Sequence, residues 1–146
     1  STEENPLNQY ASGDIYNITL IATSQYQCTD TAIIVYDLTL GLYIPNAFAP
    51  GSNVSGTNIF QPKGIHLKEY QIQVFSSWGT LLWESSKLSE DGEPVEGWDG
   101  TYKGQPMPAG NYIWRVTAKF IDNSYWPGAN NGDGNVRPYG TVTLIR

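Results

Sequence analysis

The sequence predicts an all-β protein folded as a β-sandwich of about seven strands. Apolar stretches that alternate like strands recur about every 8–12 residues, with turn-forming residues between them. No stretch has the 3.6-residue period of an amphipathic helix. Turn residues are plentiful, because the 146 residues include 15 glycines and 9 prolines. These three observations together favour a sandwich of short strands over any helical fold.

The rest of the chain is organised around a turn-rich run, residues 97–112, which holds four glycines, two prolines and three aromatic residues. Glycine and proline bend the backbone in set directions, and such bends press large aromatic side chains onto a sheet. An aspartate in this setting accepts N–H bonds from the backbone two residues on. The predicted structural corner consists of Trp98, Asp99, Gly100, Gly110 and Tyr112.

Two strands are predicted before residue 41, where the domain that contains the corner begins. Residues 15–23 alternate, with Tyr16, Ile18, Leu20 and Ala22 on one half-buried face, and residues 31–40 form the second strand. A lone hairpin is marginally stable in water. We therefore expect this hairpin to dock either on the following domain or on strands that precede the sequence.

The strands of the second domain follow Gly41, where the pattern of the sequence changes. Prolines at both ends of the apolar core of residues 42–50 confine that segment to a sheet edge or to a switch between sheets. The remaining predicted strands are residues 69–75 and 80–84, which form the clearest hairpin, 112–120 and 141–145. Loops are predicted at 62–68, at the acidic and solvated stretch 85–96, and at 121–139.

The composition excludes several partners. The formal net charge is −6 and no basic cluster is present, so nucleic acid is not an expected partner. No apolar run is long enough to span a bilayer, so no direct membrane insertion is expected. Few charges with many glycines, prolines and aromatics indicate an extracytoplasmic module. The chain starts with Ser1 and has no signal peptide, so an export signal would lie upstream.

The single cysteine, Cys28, allows two interpretations. A small buried thiol is the favoured one. The other is half of a disulfide whose partner precedes Ser1.

No constellation of residues predicts catalysis, a metal site or a cofactor, so we expect a protein that is not an enzyme. His66 has no second histidine or cysteine near it, and no serine lies in a triad pattern. The carboxylates between residues 90 and 96 are expected in a flexible loop rather than across a cleft. The string Asn130–Asn135 has one carboxylate and lacks the later acid of a calcium loop.

Five blocks of sequence carry a resemblance to a known family. In order they are YIPNAFAP (43–50), YQIQVF followed by WG (70–79), GWDGTYKG (97–104), PAGNY (108–112) and GTVTLIR (140–146). They resemble the gliding-motility-associated C-terminal domain, which is the type B sorting domain of the type IX secretion system of Bacteroidota. The chain departs from the family at two places. Its loop at 51–58 has no carboxylate where the family has an Asn-Gly-Asp-Gly loop, and Ser77 stands where the family has arginine.

The resemblance implies an Ig-like antiparallel sandwich over residues 41–146. Residues 1–40 resemble the C-terminal strands of a PKD-like Ig repeat, or a linker, through GDIYNITL (13–20) and CTDT (28–31). It implies a non-enzymatic secretion signal that directs a large surface or secreted protein, such as an adhesin, through the type IX translocon. The protein would cross the periplasm and end at the cell surface or outside the cell. The implied partner is the secretion machinery, in particular an SprF-like outer-membrane β-barrel, and the domain would be a monomer.

The resemblance also suggests which residues contact the machinery. We expect contacts at the terminal residues Thr143, Leu144, Ile145 and Arg146 and at the turn residues Trp78 and Gly79. Addition of a partner strand to an open terminal strand is the expected mode. The alternative function is a carbohydrate-binding or adhesive module, with Trp126 as its exposed aromatic.

Overall fold

The structure, a computed structural model, describes residues 7–8, 10, 14–37, 39–130 and 134–146, with the backbone alone at Tyr36 and Asp37. It divides into two compact units, Ser1–Leu40 and Gly41–Arg146. The regular elements of the described residues are strands, and no helix among these residues is long and apolar enough to cross a membrane. The predicted all-β class is confirmed.

The first unit contains one antiparallel hairpin. Strand β1 is Ile15–Thr23 and β2 is Thr29–Asp37, with Ile15 opposite Asp37 and Thr23 opposite Thr29. Strand β1 has the predicted bounds, whereas β2 begins two residues early and ends before Leu40. The predicted half-buried face is wrong for Leu20 and Ala22, which are exposed, because nothing within the hairpin covers them.

Cys28 lies in the connection between β1 and β2, where its N–H donates to the Ser24 hydroxyl at 3.2 Å. The thiol is free and exposed. The favoured interpretation, a small buried thiol, is therefore wrong, since a two-stranded hairpin has no interior in which to bury a turn residue. A disulfide to a residue before Ser1 stays a prediction.

The second unit is an Ig-like sandwich. Its strands are β3 Gly41–Tyr43, β4 Ala47–Phe48, β5 Lys63–Ile65, β6 Leu67–Phe75, β7 Leu81–Ser85, β8 Thr101–Tyr102, β9 Gln105–Pro106, β10 Gly110–Phe120, β11 Ala129–Asn130, β12 Val136–Arg137 and β13 Tyr139–Leu144. A five-stranded sheet has the order β4-β13-β10-β6-β7, and three two-stranded sheets, β3-β5, β8-β9 and β11-β12, complete the sandwich. The count exceeds seven because several pairings are too short to show an alternation in the sequence.

The core lies on the inner face of the five-stranded sheet. Strand β10 alternates along its whole length, and every second side chain from Tyr112 to Phe120 is buried. Its neighbour β6 buries Tyr70, Ile72 and Val74 in the same way. The two predicted strands, and the β6–β7 hairpin, are confirmed.

The proline-containing segment 42–50 switches between sheets, as predicted. Strand β3 pairs with β5, whereas β4 pairs with β13 at the edge of the main sheet, and Pro45 lies between them. The β4–β13 pairing is the one parallel contact in that sheet. The predicted loop at 62–68 is wrong, because β5 and the start of β6 lie there; the short partner strand β3 supplies the pairing.

Backbone hydrogen bonds tie the acidic stretch 85–96 to the start of β6. The N–H groups of His66 and Leu67 donate to the carbonyl oxygens of Asp91 and Gly92, each at 3.1 Å. Gly92 is buried with φ of 75°, and a Cβ there would lie 2.4 Å from the Leu67 carbonyl oxygen. The predicted loop at 121–139 contains the small β11–β12 hairpin.

Candidate functional site

The corner is built around Trp98, which is fully buried. Its backbone pairs with Phe60 through two N–H···O bonds of 2.9 Å, and its indole Nε1 donates to the Thr101 carbonyl oxygen at 2.8 Å. The ring centroid lies 5.0 Å from that of Tyr112, edge to face, and 5.4 Å from that of Phe48. The tryptophan therefore fills the space between the sheet and the bends that cover it.

Turn chemistry holds the corner in shape. Asp99 Oδ1 accepts from the N–H of Thr101 at 2.9 Å and from its hydroxyl at 2.8 Å. Gly100 has φ of 78°, and a Cβ at that position would lie 2.7 Å from Leu144 Cδ1. The Tyr112 hydroxyl donates to the Pro108 carbonyl oxygen at 2.7 Å. Gly110 starts β10 in open space, so it supports the bend without a close contact.

The chain end binds back onto this corner through Arg146. Its Nε donates to the Met107 carbonyl oxygen at 2.8 Å, and Nη2 donates to the Gly100 carbonyl oxygen at 3.2 Å. Burial raises the pKa of the Tyr112 hydroxyl, and the positive charge of Arg146 partly opposes that rise. The last residue is thus part of the folded corner rather than a loose tail.

The terminal strand cannot accept a further strand along its last residues. Strand β13 lies between β4 and β10, and the N–H groups of Thr143 and Ile145 already donate to the carbonyl oxygens of Asn46 and Phe48. Leu144 is 1% exposed, so its side chain is part of the core. The predictions of an open terminal strand and of a Leu144 side-chain contact are wrong for this reason.

The other terminal residues differ in what they offer a partner. Thr143 is half-buried, and its hydroxyl donates to Asn111 Oδ1 at 2.9 Å. Ile145 is 51% exposed, and Arg146 is exposed except where it binds the corner. Ile145 is therefore the apolar side chain that this end presents to solvent.

The turn that carries Trp78 and Gly79 connects β6 to β7. Ser76 holds it: the Ser76 carbonyl oxygen accepts from Gly79 N–H at 3.0 Å, and its hydroxyl accepts from Thr80 N–H at 3.2 Å. Gly79 has φ of 81° with open space around it. Trp78 is 92% exposed, so this turn displays a large aromatic side chain without packing it.

Strand register brings these two groups of predicted residues to one end of the sheet. Leu144 of β13 pairs with Gly110 at the start of β10, and Phe75 at the end of β6 pairs with Ile113 of β10. The chain end and the β6–β7 turn therefore flank the start of β10. Adjacent strands lie about 4.8 Å apart, which separates β13 from β6 by about 10 Å.

Other candidate sites do not assemble. Among the described residues no group of three or more His, Cys, Asp and Glu could hold a metal ion. Residues 131–133 of the calcium-like string Asn130–Asn135 lie outside the described residues. Of the carboxylates in 90–96, Glu96 lies in a structural network instead: it accepts from the Ser85 hydroxyl at 2.7 Å and pairs with Lys87. The Lys87 and Ser85 hydrogen bonds lower the pKa of Glu96.

The expected exposed aromatic is wrong. Trp126 is half-buried, with its ring centroid 6.4 Å from that of Trp114, and its N–H donates to the Ala118 carbonyl oxygen at 3.0 Å. Its neighbour Tyr125 is exposed instead. The carbohydrate-binding alternative thereby loses the side chain on which it depended.

Sequence patterns do not reveal how Arg146 functions within the fold. It is expected as a partner contact, but its guanidinium also closes the corner. A terminal arginine gives no local signal of such a role, because the carbonyl groups that it binds lie 39 and 46 residues earlier.

Comparison with known proteins decides the family. Residues 42–128, more than half of the chain, match the family described as the CHU_C Type IX secretion signal domain. The chain belongs to this family. No curated protein matches. A solved structure that matches is dimeric latent PorU from Porphyromonas gingivalis, with 13% identity and a TM-score of 0.40, over 93% of this chain and 12% of that one. The chain thus spans a small part of the length of that structure.

Family membership confirms the resemblance and the function that it implied. The domain is a type IX secretion signal. It interacts with the type IX machinery and marks its protein for export to the cell surface or the extracellular space. The family is defined by this sorting role and not by a catalytic activity.

Proposed function

We propose that the secretion machinery contacts the end of the sandwich formed by Trp78, Gly79, Thr143, Ile145 and Arg146. The component in contact is an SprF-like outer-membrane β-barrel, and the domain reaches it as a folded monomer in the periplasm. The common location of these residues at one end of the sheet supports a single contact surface. Exposed Trp78 and Ile145 supply its apolar area, since aromatic and aliphatic anchors dominate binding energy at interfaces.

The observation that carries this proposal is the pair of hydrogen bonds from Arg146 to the carbonyl oxygens of Gly100 and Met107. Those carbonyl groups meet the guanidinium only after the corner has formed. A receptor that contacts the chain end in this arrangement therefore distinguishes a folded domain from an unfolded one. This is the property that a sorting signal needs if it is to be exported after folding.

The proposal extends to the organisation of the protein. Residues 1–40 are the C-terminal strands of a PKD-like repeat, and residues 41–146 are the sorting domain. The separation into compact units at Leu40 and Gly41 supports this division. The domain has no enzymatic role, and its passenger is a large surface protein such as an adhesin involved in gliding.

Export of a reporter protein fused to the chain, in a bacterium with a type IX system, tests the contact surface. Deletion of the terminal strand is a poor test, because β13 is an interior strand and its loss would unfold the sheet. Point variants of exposed residues avoid this difficulty. Trp78→Ala and Ile145→Ala should each reduce the exported fraction, and the double variant should leave most of the reporter in the periplasm.

Matched controls lie at the opposite end of the sheet. Tyr125 is 69% exposed and Ile121 45%, against 92% for Trp78 and 51% for Ile145. Tyr125→Ala and Ile121→Ala should therefore be exported normally. Normal export of the Trp78 and Ile145 double variant, with this variant and both controls equally folded by circular dichroism, would refute the proposed surface.

A further inference from the structure

The loop of residues 49–57 leaves β4 beside the end of the chain. Strand β4 runs parallel to β13, with Phe48 opposite Leu144, so the two strands end at the same end of the sheet. The Phe48 carbonyl oxygen accepts from the Ile145 N–H at 2.9 Å. Because β4 and β6 lie on opposite sides of β13 and β10, the loop and the turn that carries Trp78 flank the chain end from two sides.

Hydrogen bonds within this loop fix its shape. Ala49 N–H donates to the Thr57 carbonyl oxygen at 2.7 Å, which closes the loop at its base. The Ser52 hydroxyl accepts from Val54 N–H at 3.1 Å. The Thr57 hydroxyl oxygen lies 2.8 Å from the Ser52 hydroxyl oxygen and 2.9 Å from the Val54 carbonyl oxygen. The N–H and the carbonyl group of Val54 are thus both bonded to side chains of the loop.

The loop displays an apolar side chain from this fixed backbone. Val54 is 64% exposed, and Trp78 and Ile145 are exposed on separate segments at the same end of the sandwich. In the sheet order, β4 and β6 lie three strand spacings apart, which is about 14 Å. The three side chains therefore span a surface that is wide enough for a protein partner.

The charge of this end differs from that of the whole chain, which has a formal net charge of −6. Four segments emerge here: residues 49–58, 76–80, 107–109 and 145–146. They contain no Asp or Glu, and Arg146 is their one charged residue. Its guanidinium bonds to two carbonyl groups, which do not neutralise its charge. An acidic protein without carboxylates at one end can meet an acidic partner there without like-charge repulsion.

We infer that the loop of residues 49–57 is part of the surface that the secretion machinery contacts, with Val54 as its apolar anchor. The machinery meets this end with an apolar surface that carries a carboxylate beside Arg146. The inference rests on the proposed function and deepens it, because it adds a third segment to the contact surface and states the chemistry of the partner.

Export of the reporter fusion tests the anchor. Val54→Ser removes the apolar surface of a small exposed side chain, so the exported fraction should fall about threefold. Val95→Ser is the matched control and should be exported normally, because Val95 is 50% exposed on the stretch that follows β7. Circular dichroism of both purified chains checks that they are equally folded.

The fixed shape of the loop allows a second test, which decides if Val54→Ser does not fold. Thr57→Val removes the hydroxyl that holds the Val54 backbone and should reduce export although Val54 is still present. Thr57→Ser keeps the hydroxyl and should be exported normally. Normal export of Thr57→Val would show that the position of Val54 does not matter to the machinery, which would overturn its role as an anchor.

Charge substitutions in the neighbouring turn test the chemistry of the partner. Ser77 is exposed beside Trp78. Ser77→Asp should lower the exported fraction about threefold, because the new carboxylate meets an acidic surface, whereas Ser77→Lys should not lower it. Gln71→Glu and Gln71→Lys, at an exposed residue in the middle of β6, should both be exported normally. Equal losses from Ser77→Asp and Ser77→Lys would overturn the acidic partner surface.

The export data separate this inference from the proposal on which it rests. If the Trp78 and Ile145 double variant loses export while Val54→Ser is exported like Val95→Ser, the contact surface does not include the loop, and the inference alone fails. If Val54→Ser instead converts a dimer of the purified chain into a monomer on size-exclusion chromatography, the loop joins two copies of the chain, which also overturns the inference. Normal export of the double variant refutes the contact surface as a whole.

Discussion

Two hairpins in this chain begin with similar strand patterns and have opposite surroundings. Strands β1 and β6 both alternate apolar with polar residues, and each is joined to its partner strand, β2 or β7, by a short turn. Ile34 of β2 is nevertheless 62% exposed, whereas Ile72 of β6 is 0% exposed. An alternating pattern therefore defines which face of a strand can be buried, and it does not supply the layer that buries it.

The covering layer of the second hairpin comes from residues far away in sequence. Phe60 and Trp98 pair with each other through their backbones, and Phe48 lies with its ring centroid 6.0 Å from that of Phe60. These aromatics, all nearly inaccessible to solvent, close the core above β6 and β10. Among the described residues of its own unit, no such layer covers the first hairpin.

Substitution of equivalent isoleucines tests this difference most strongly. Ile72→Ala creates a cavity in a closed core and should lower the free energy of unfolding by about 2–5 kcal/mol. Ile34→Ala removes an exposed side chain and should change it by less than about 0.5 kcal/mol. Hydrogen exchange of the β6 and β2 amides measures the two effects. Equal losses in both strands would mean that β2 is covered after all.

The pattern of β10 shows how much of the fold could be predicted. Its inward residues, Tyr112, Trp114, Val116 and Ala118, follow from a strict period of two, which only a strand can satisfy. The sheet switch at Pro45 was also predictable, since proline cannot donate to a ladder. Strand β5 could not be predicted, because three residues around a glycine carry no period and the strand depends on its pairing with β3.

Less of the candidate site than of the fold could be predicted from the sequence. Trp98, Asp99 and Gly100 could be selected as a corner because each residue type has a local reason to be in a turn. The burial of Leu144 and the enclosure of β13 between two strands depend on β4, which pairs with it from about a hundred residues earlier. No local pattern in β13 distinguishes an interior strand from an edge strand of the same length.

A substitution that disturbs the covering layer should also destabilise the β6–β7 hairpin. Gly100→Ala puts a Cβ 2.7 Å from Leu144 Cδ1 at φ of 78°, so strain and overpacking together should cost about 2–4 kcal/mol. Gly79→Ala, at φ of 81° in open space, carries the backbone strain alone and should cost about 1 kcal/mol. Urea unfolding followed by tryptophan fluorescence compares them. A Gly79 variant as unstable as the Gly100 variant would contradict the packing argument.

A smaller effect on stability is expected for a buried polar atom. The Tyr70 hydroxyl is buried with no hydrogen-bond partner among the described residues, and burial raises its pKa. Tyr70→Phe removes this unsatisfied group and should stabilise the chain by about 1 kcal/mol. Tyr112→Phe removes a hydroxyl that is bonded to Pro108 and should destabilise it by about the same amount. Thermal unfolding of both variants is the measurement, and shifts of the same sign would contradict it.

The smallest expected effect is a pH dependence of stability at the end of β7, where Ser85 donates a hydrogen bond to Glu96. Hydrogen bonds from Lys87 and Ser85 hold the pKa of Glu96 below its usual value of about 4.3. A depressed carboxyl pKa stabilises the folded chain above the unfolded-state pKa, and this contribution is lost as pH falls through the folded-state pKa. Glu96→Gln should therefore lower Tm at neutral pH and converge with the unaltered chain in acid. Glu93→Gln is the control, because Glu93 lies on the same loop and forms no ion pair within the described part of the chain. If the Tm difference between the unaltered and Glu96→Gln chains stayed the same from neutral to acidic pH, the hydrogen bonds of Glu96 would not stabilise the hairpin.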